Sequence, residues 1–204
     1  MPSGNLREAL KLRDLATPSG MQRLSDAVNA SPDEAQAISK LVEKYLSQDE
    51  TLGNIPVGKT EGGAYYDIKN RRIALSSGDP DVFSHEVEHA VRLSGASKAY
   101  KALLAMSKKF TAFNNVAAGP AAAAISMLVK DRALEQNLMR GAAALGAASA
   151  VPNLLEEAVA SGRAYSKSDN KYRTIKKLLP AFGSHALHDL AAPGLFLGLS
   201  NVGK

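Results

Sequence analysis

Phe83-Ser84-His85-Glu86-Val87-Glu88-His89-Ala90-Val91 is the stretch on which the reading of this chain turns. Its central pentapeptide has the H-E-x-x-H pattern. On a helix, His85 and His89 stand one turn apart on one face, so both imidazoles can reach a single metal ion. Glu86 lies beside that face. There its carboxylate can hold a metal-activated water, take its proton as the oxygen attacks a carbonyl, and return it to the leaving amine. The flanks suit a helix over 81–93. Asp79 or Asp81 can cap its start beside Pro80, and Val82, Phe83, Val87, Ala90 and Val91 supply an apolar side.

Upstream, Ala64–Ile68 and Arg71–Leu75 read as two short strands joined at Lys69-Asn70, a β-hairpin leading into the motif helix. Such a hairpin offers an edge along which an extended peptide can be held by backbone hydrogen bonds. Residues 51–63 read as turns, marked by Gly53, Pro56, Gly58, Gly62 and Gly63. Residues 5–50 read as short amphipathic helices. Leu6, Leu10 and Leu15 form a first stripe, and Met21, Leu24, Ala27 and Val28 a second. The third helix is opened by Ser31, Pro32 and Glu34 and buries Ala35, Ile38, Leu41, Val42 and Tyr45.

Downstream lie two uncharged, alanine-rich stretches, 111–129 and 141–155, separated by a polar run. The first has the length to cross a bilayer, about 28 Å at 1.5 Å per residue, and the second is shorter at about 22 Å. Alanine drives insertion poorly, whereas Gly119, Gly141 and Gly146 allow close helix packing. Residues 166–177 read as a basic solvated linker, and the tail after it as a peripheral helix or extended arm broken by Pro180 and Pro193.

The 204 residues contain no cysteine, which excludes a disulfide scaffold, a cysteine-based zinc finger and thiol catalysis. Any metal site must draw on carboxylates and four histidines, two of them inside the motif. The net charge of +5 is too small and dispersed to predict specific nucleic-acid binding. Arg7, Glu8, Lys11, Arg13 and Asp14 interrupt the start, so no signal peptide is expected there.

A catalytic zinc needs a third protein ligand and one open position. The residues leave that ligand among Glu156, Glu157, His185 and His188. Tyr165, Arg163, His185 and His188 are the candidates for steadying a developing oxyanion.

The chain resembles a gluzincin-type zinc metallopeptidase. Within that class it is similar to the small YugP-like neutral zinc proteases of membranes and, more distantly, to the HtpX-like group. The resemblance rests on Tyr65–Asp67 through Arg72–Ser76, on the Phe83–Val91 segment, and on Glu157 followed by Ala160-Ser161 and Arg163-Ala164. It implies a zincin-like core with Glu157 as the third ligand, and two hydrophobic helices between the halves of the site. Glu88 departs from the relatives, which more often carry Gly there.

The expected fold is therefore α+β and mainly helical. It has a short β-hairpin before the motif helix and an Ala-rich helical hairpin, 111–155, before the third ligand. Residues 1–50 form a helical segment, 51–165 the metallopeptidase core, and 166–204 a basic linker and apolar tail. The expected function is zinc-dependent endopeptidase action on a protein or peptide, with Zn2+ held by His85, His89 and Glu157 and Glu86 as general base. The alternative is a structural or assembly protein, such as a phage virion or DNA-ejection component, that binds a membrane or partner through 111–155 and the termini. The expected location is cytoplasmic or virion-associated, with an integral-membrane form admitted.

Overall fold

The computed structural model describes residues 10–201, so Leu6 and the start of the first stripe lie outside the described residues. The chain is α+β and mainly helical. It divides into two compact units, one made of Met1–Ala96 with Ala160–Leu178, the other of Ser97–Val159 with Leu179–Lys204.

The first unit is built on a small sheet. Strands β1 (Leu10–Lys11), β2 (Pro56–Lys59), β3 (Tyr65–Asp67) and β4 (Arg72–Leu75) are ordered β1-β2-β4-β3. The expected hairpin is present as the antiparallel β3–β4 pair, with Tyr66 opposite Ile73. β2 is a strand the turn residues concealed, and it runs parallel to β4 with Val57 opposite Ile73. Its proline stands at the first position, where the missing N–H disturbs the ladder least. Leu10 also departs from expectation. It lies in β1 opposite Val57, and a 3-10 turn over Leu12–Ala16 buries Leu12 and Leu15, so these leucines face the core without an α-helix.

Helices α1 (Pro18–Val28) and α2 (Pro32–Gln48) follow. Ser31 closes a reciprocal capping box with Glu34, and Pro32 occupies the first turn. Loss of a cap of this kind typically costs about 1 kcal/mol. Helix α3 (Pro80–Ser94) carries the H-E-x-x-H motif and buries Phe83, Val87, Ala90 and Leu93. Asp79 is its cap, accepting the backbone N–H of Asp81 at 2.9 Å. The approach to this cap is tight. A Cβ on Gly78 would lie 2.2 Å from that of Ala30, so only glycine fits there without a backbone shift.

Asp79 also meets Lys177 Nζ at 3.2 Å and Arg173 at 3.5 Å. Burial acts to raise its carboxyl, but the Asp81 N–H and the two cations outweigh it and hold the group below the ordinary carboxylate range. A depressed folded-state value adds stability above the unfolded value of about 3.9, and that stability is lost as pH falls through the folded value. Asp79→Asn keeps a competent cap but removes the charge. Urea midpoints at pH 7 and pH 3 should therefore fall less between the two conditions in the variant than in the wild type. An equal fall would show that this carboxylate does not contribute to acid sensitivity.

The second unit contains α4 (Lys98–Leu128), α5 (Arg132–Lys167) up to Val159, and the later part of α6 (Lys171–Asn201). Pro120, Pro152, Pro180 and Pro193 sit inside these helices, and the expected linker over 166–177 is largely the start of α6. The unit packs through small side chains: Ala118, Ala122, Ala143 and Ala192 with Met139 and Phe196. Gly146 permits a close approach, because a Cβ there would lie 2.6 Å from Asn114 Nδ2. Large apolar side chains point outward on α4, among them Leu103, Met106, Phe110, Phe113 and Val116.

The admitted integral-membrane form is corrected. Among the described residues no helix is both long and apolar enough to cross a membrane. Length is ample, at 31 residues in α4 and 36 in α5. Hydropathy fails, because alanine contributes little and Asn114, Asn115 and the flanking charges dilute the rest.

Candidate metal centre

The geometry of α3 sets the first two donors. His85 and His89 present their Nε2 atoms to each other at 3.2 Å, with the rings edge to face and centroids 4.7 Å apart. Two nitrogens bound about 2.05 Å from one tetrahedral ion would stand about 3.3 Å apart, so the pair has the spacing a shared metal requires. His89 is buried and His85 half-buried.

The third donor comes from α5. Glu157 brings a carboxylate oxygen to the pair, and the ligand atoms of His85, His89 and Glu157 all lie within 4.8 Å of one another. Among the described residues this is the only such group. The alternatives therefore separate. Glu156 is buried and accepts the Tyr100 hydroxyl at 2.9 Å. His185 and His188 lie exposed on α6, with His188 against Asp189 at 3.1 Å.

Two imidazole nitrogens and one carboxylate oxygen form a donor set suited to a divalent metal ion of intermediate softness. Glu86, adjacent to the first donor, is buried at 5% exposure, while His85 and Glu157 are half-buried.

The surroundings hold side chains that the sequence reading did not connect to the site. Ser161, one turn after Glu157 on α5, places Oγ 3.4 Å from His85 Nδ1, the nitrogen that faces away from His89. A polar contact at that nitrogen fixes ring orientation in metal-binding histidines. The i+4 spacing from Glu157 was the available signal. Glu88 is fully buried. Its Oε1 receives Tyr45 Oη at 2.8 Å and Lys167 Nζ at 2.7 Å, and Arg163 lies 3.9 Å from Oε2. Burial and the Glu88 charge together push the Tyr45 hydroxyl far above its ordinary value, so it remains a donor. Arg163, a candidate oxyanion partner, faces Glu88, and Tyr165 lies under Lys171 Nζ at 5.0 Å.

His85, His89 and Glu157 thus form a zinc-binding-type triad consistent with an H-E-x-x-H, gluzincin-like site. No protein-family model, curated protein or solved structure matches the chain, so this assignment rests on the site's own residues.

Proposed function

We propose that this protein is a zinc-dependent endopeptidase, with His85, His89 and Glu157 holding the ion and Glu86 acting as general base. The observation that carries the reading is the convergence of the three donors, with the two imidazole nitrogens 3.2 Å apart. When bound, zinc supplies a Lewis acid that polarises a carbonyl and acidifies water. The Glu86 carboxylate takes one proton from the attacking water as its oxygen bonds to the carbonyl carbon. It then gives that proton to the amide nitrogen as the C–N bond breaks, leaving a carboxylic acid and an amine, between which the remaining water proton passes to give carboxylate and ammonium. Ser161 keeps the His85 ring oriented during these transfers. Strand β3 is an edge of the sheet immediately before the motif helix, and an extended substrate can add to it as a further strand.

A second reading has a specific observation behind it. The outward Leu103, Met106, Phe110 and Phe113 share α4 with Lys98, Lys101, Lys108 and Lys109, and α4 has no carboxylate at all. That surface suits an acidic, partly apolar protein partner, and in an assembly protein the metal would be structural.

Metal removal separates the two. Purified protein should carry about one zinc per chain, lose both the zinc and the cleavage of a peptide library on dialysis against a chelator, and regain both with added zinc. Cleavage that persists in metal-free protein would end the peptidase reading. A fully zinc-loaded chain that cleaves nothing would favour the assembly protein.

A further inference from the structure

We propose that Glu88 is a positioning residue that locks helix α5 in the register presenting Glu157, and not Glu156, to the histidine pair. The proposal rests on the triad being a metal site.

Glu88 is an unusual occupant of its place. It is a fully buried carboxylate between Val87 and His89 on the motif helix, where a small or apolar residue would avoid the cost of desolvating a charge. It is also the point where three helices meet. Tyr45 donates to it from α2, and Lys167 and Arg163 approach it from the last turns of α5. The α2 side is tied in further. Lys167 Nζ also reaches Gln48 Oε1 at 3.2 Å and lies 4.3 Å from the centre of the Tyr45 ring, while Lys44 Nζ donates to the Lys167 carbonyl at 3.3 Å.

Register is what such a node controls. Adjacent residues on a helix point about 100° apart, and one residue of slide moves the helix about 1.5 Å along its axis. A one-residue slip of α5 would therefore turn Glu157 away and bring Glu156 round. Lys167 and Arg163, ten and six residues beyond Glu157, are held through Glu88 to the helix that carries both histidines. Ser161 against His85 marks the same register from between them. A buried ion pair is a poor source of net stability, but it is a good device for choosing one alignment over its neighbours, because a shifted pair leaves a buried charge uncompensated.

The test is a double-mutant cycle on zinc affinity, measured by competition with a chromogenic chelator, for the wild type, Glu88→Gln, Glu157→Gln and the double variant. Glu88→Gln should weaken zinc binding about 10- to 100-fold, the range of groups that orient metal ligands. In the Glu157→Gln background the same change should have almost no further effect, because the ligand through which it acts is gone. Lys167→Met should repeat this dependence if Glu88→Gln folds poorly, and Lys167→Arg should restore near-wild-type affinity. A lowered thermal midpoint with unchanged zinc affinity, or an equal loss in both backgrounds, would reduce Glu88 to a merely structural group and overturn the proposal. A wild-type chain that takes up no zinc would overturn the metal-site reading along with it, so the two failures are distinguishable.

Discussion

Glu86→Gln should leave the fold and most of the bound zinc intact while peptide hydrolysis falls by at least about 10²-fold. Glutamine matches glutamate in volume, so a side chain that is 5% exposed is replaced without opening a cavity. The three donors, His85, His89 and Glu157, are untouched. What is lost is the ability to accept a proton. A factor of 10² corresponds to about 2.7 kcal/mol of transition-state stabilisation, the lower end of what a positioned base contributes. Because substrate contacts do not change, the loss should appear in kcat with KM nearly constant. The measurement is turnover of a fluorogenic peptide identified by library cleavage, with zinc content determined on the same samples. Unchanged turnover in the variant would assign the proton transfer to another group or the activity to a contaminant.

The motif helix was legible because its signals are local. Asp79-Pro80 opens it, an apolar face runs through it, and the two histidines share one side by spacing alone. The β3–β4 hairpin was legible for the same reason. β2 was not, because Pro56 and Gly58 are turn residues by type and the strand exists only through pairing with partners distant in sequence. β1 has only two residues, too few to show alternation. The long α6 was concealed by Pro180 and Pro193, which break helices by type yet stand inside this one. At the site, both histidines followed from spacing, whereas Glu157 needed the resemblance to separate it from Glu156. The Glu88 node was hidden for a different reason. Tyr45 and Lys167 come from opposite sides of the motif and far along the chain, and nothing in the local sequence joins them.

The choice between the two adjacent carboxylates has the other large expected effect. Glu157→Gln should lower zinc affinity by at least about 10²-fold, beyond the range of groups that only orient ligands, because it replaces a charged donor with a neutral amide. Glu156→Gln should lower it less than about 10-fold. The asymmetry follows from helix geometry: two neighbours point about 100° apart, so one faces the histidines while the other faces elsewhere. Here the Glu157 oxygen joins the His85 and His89 nitrogens within 4.8 Å, and Glu156 accepts the Tyr100 hydroxyl at 2.9 Å. Glu156 is buried, so altering its hydrogen bond from the Tyr100 hydroxyl costs about 0.5–1.5 kcal/mol. That cost belongs to folding and should appear in the thermal midpoint of Glu156→Gln, measured without metal. Paired measurements of zinc affinity and metal-free stability on both variants therefore separate a ligand from a structural carboxylate. The reverse pattern, with zinc lost in Glu156→Gln and kept in Glu157→Gln, would place α5 one residue out of register and remove Glu157 from the metal centre.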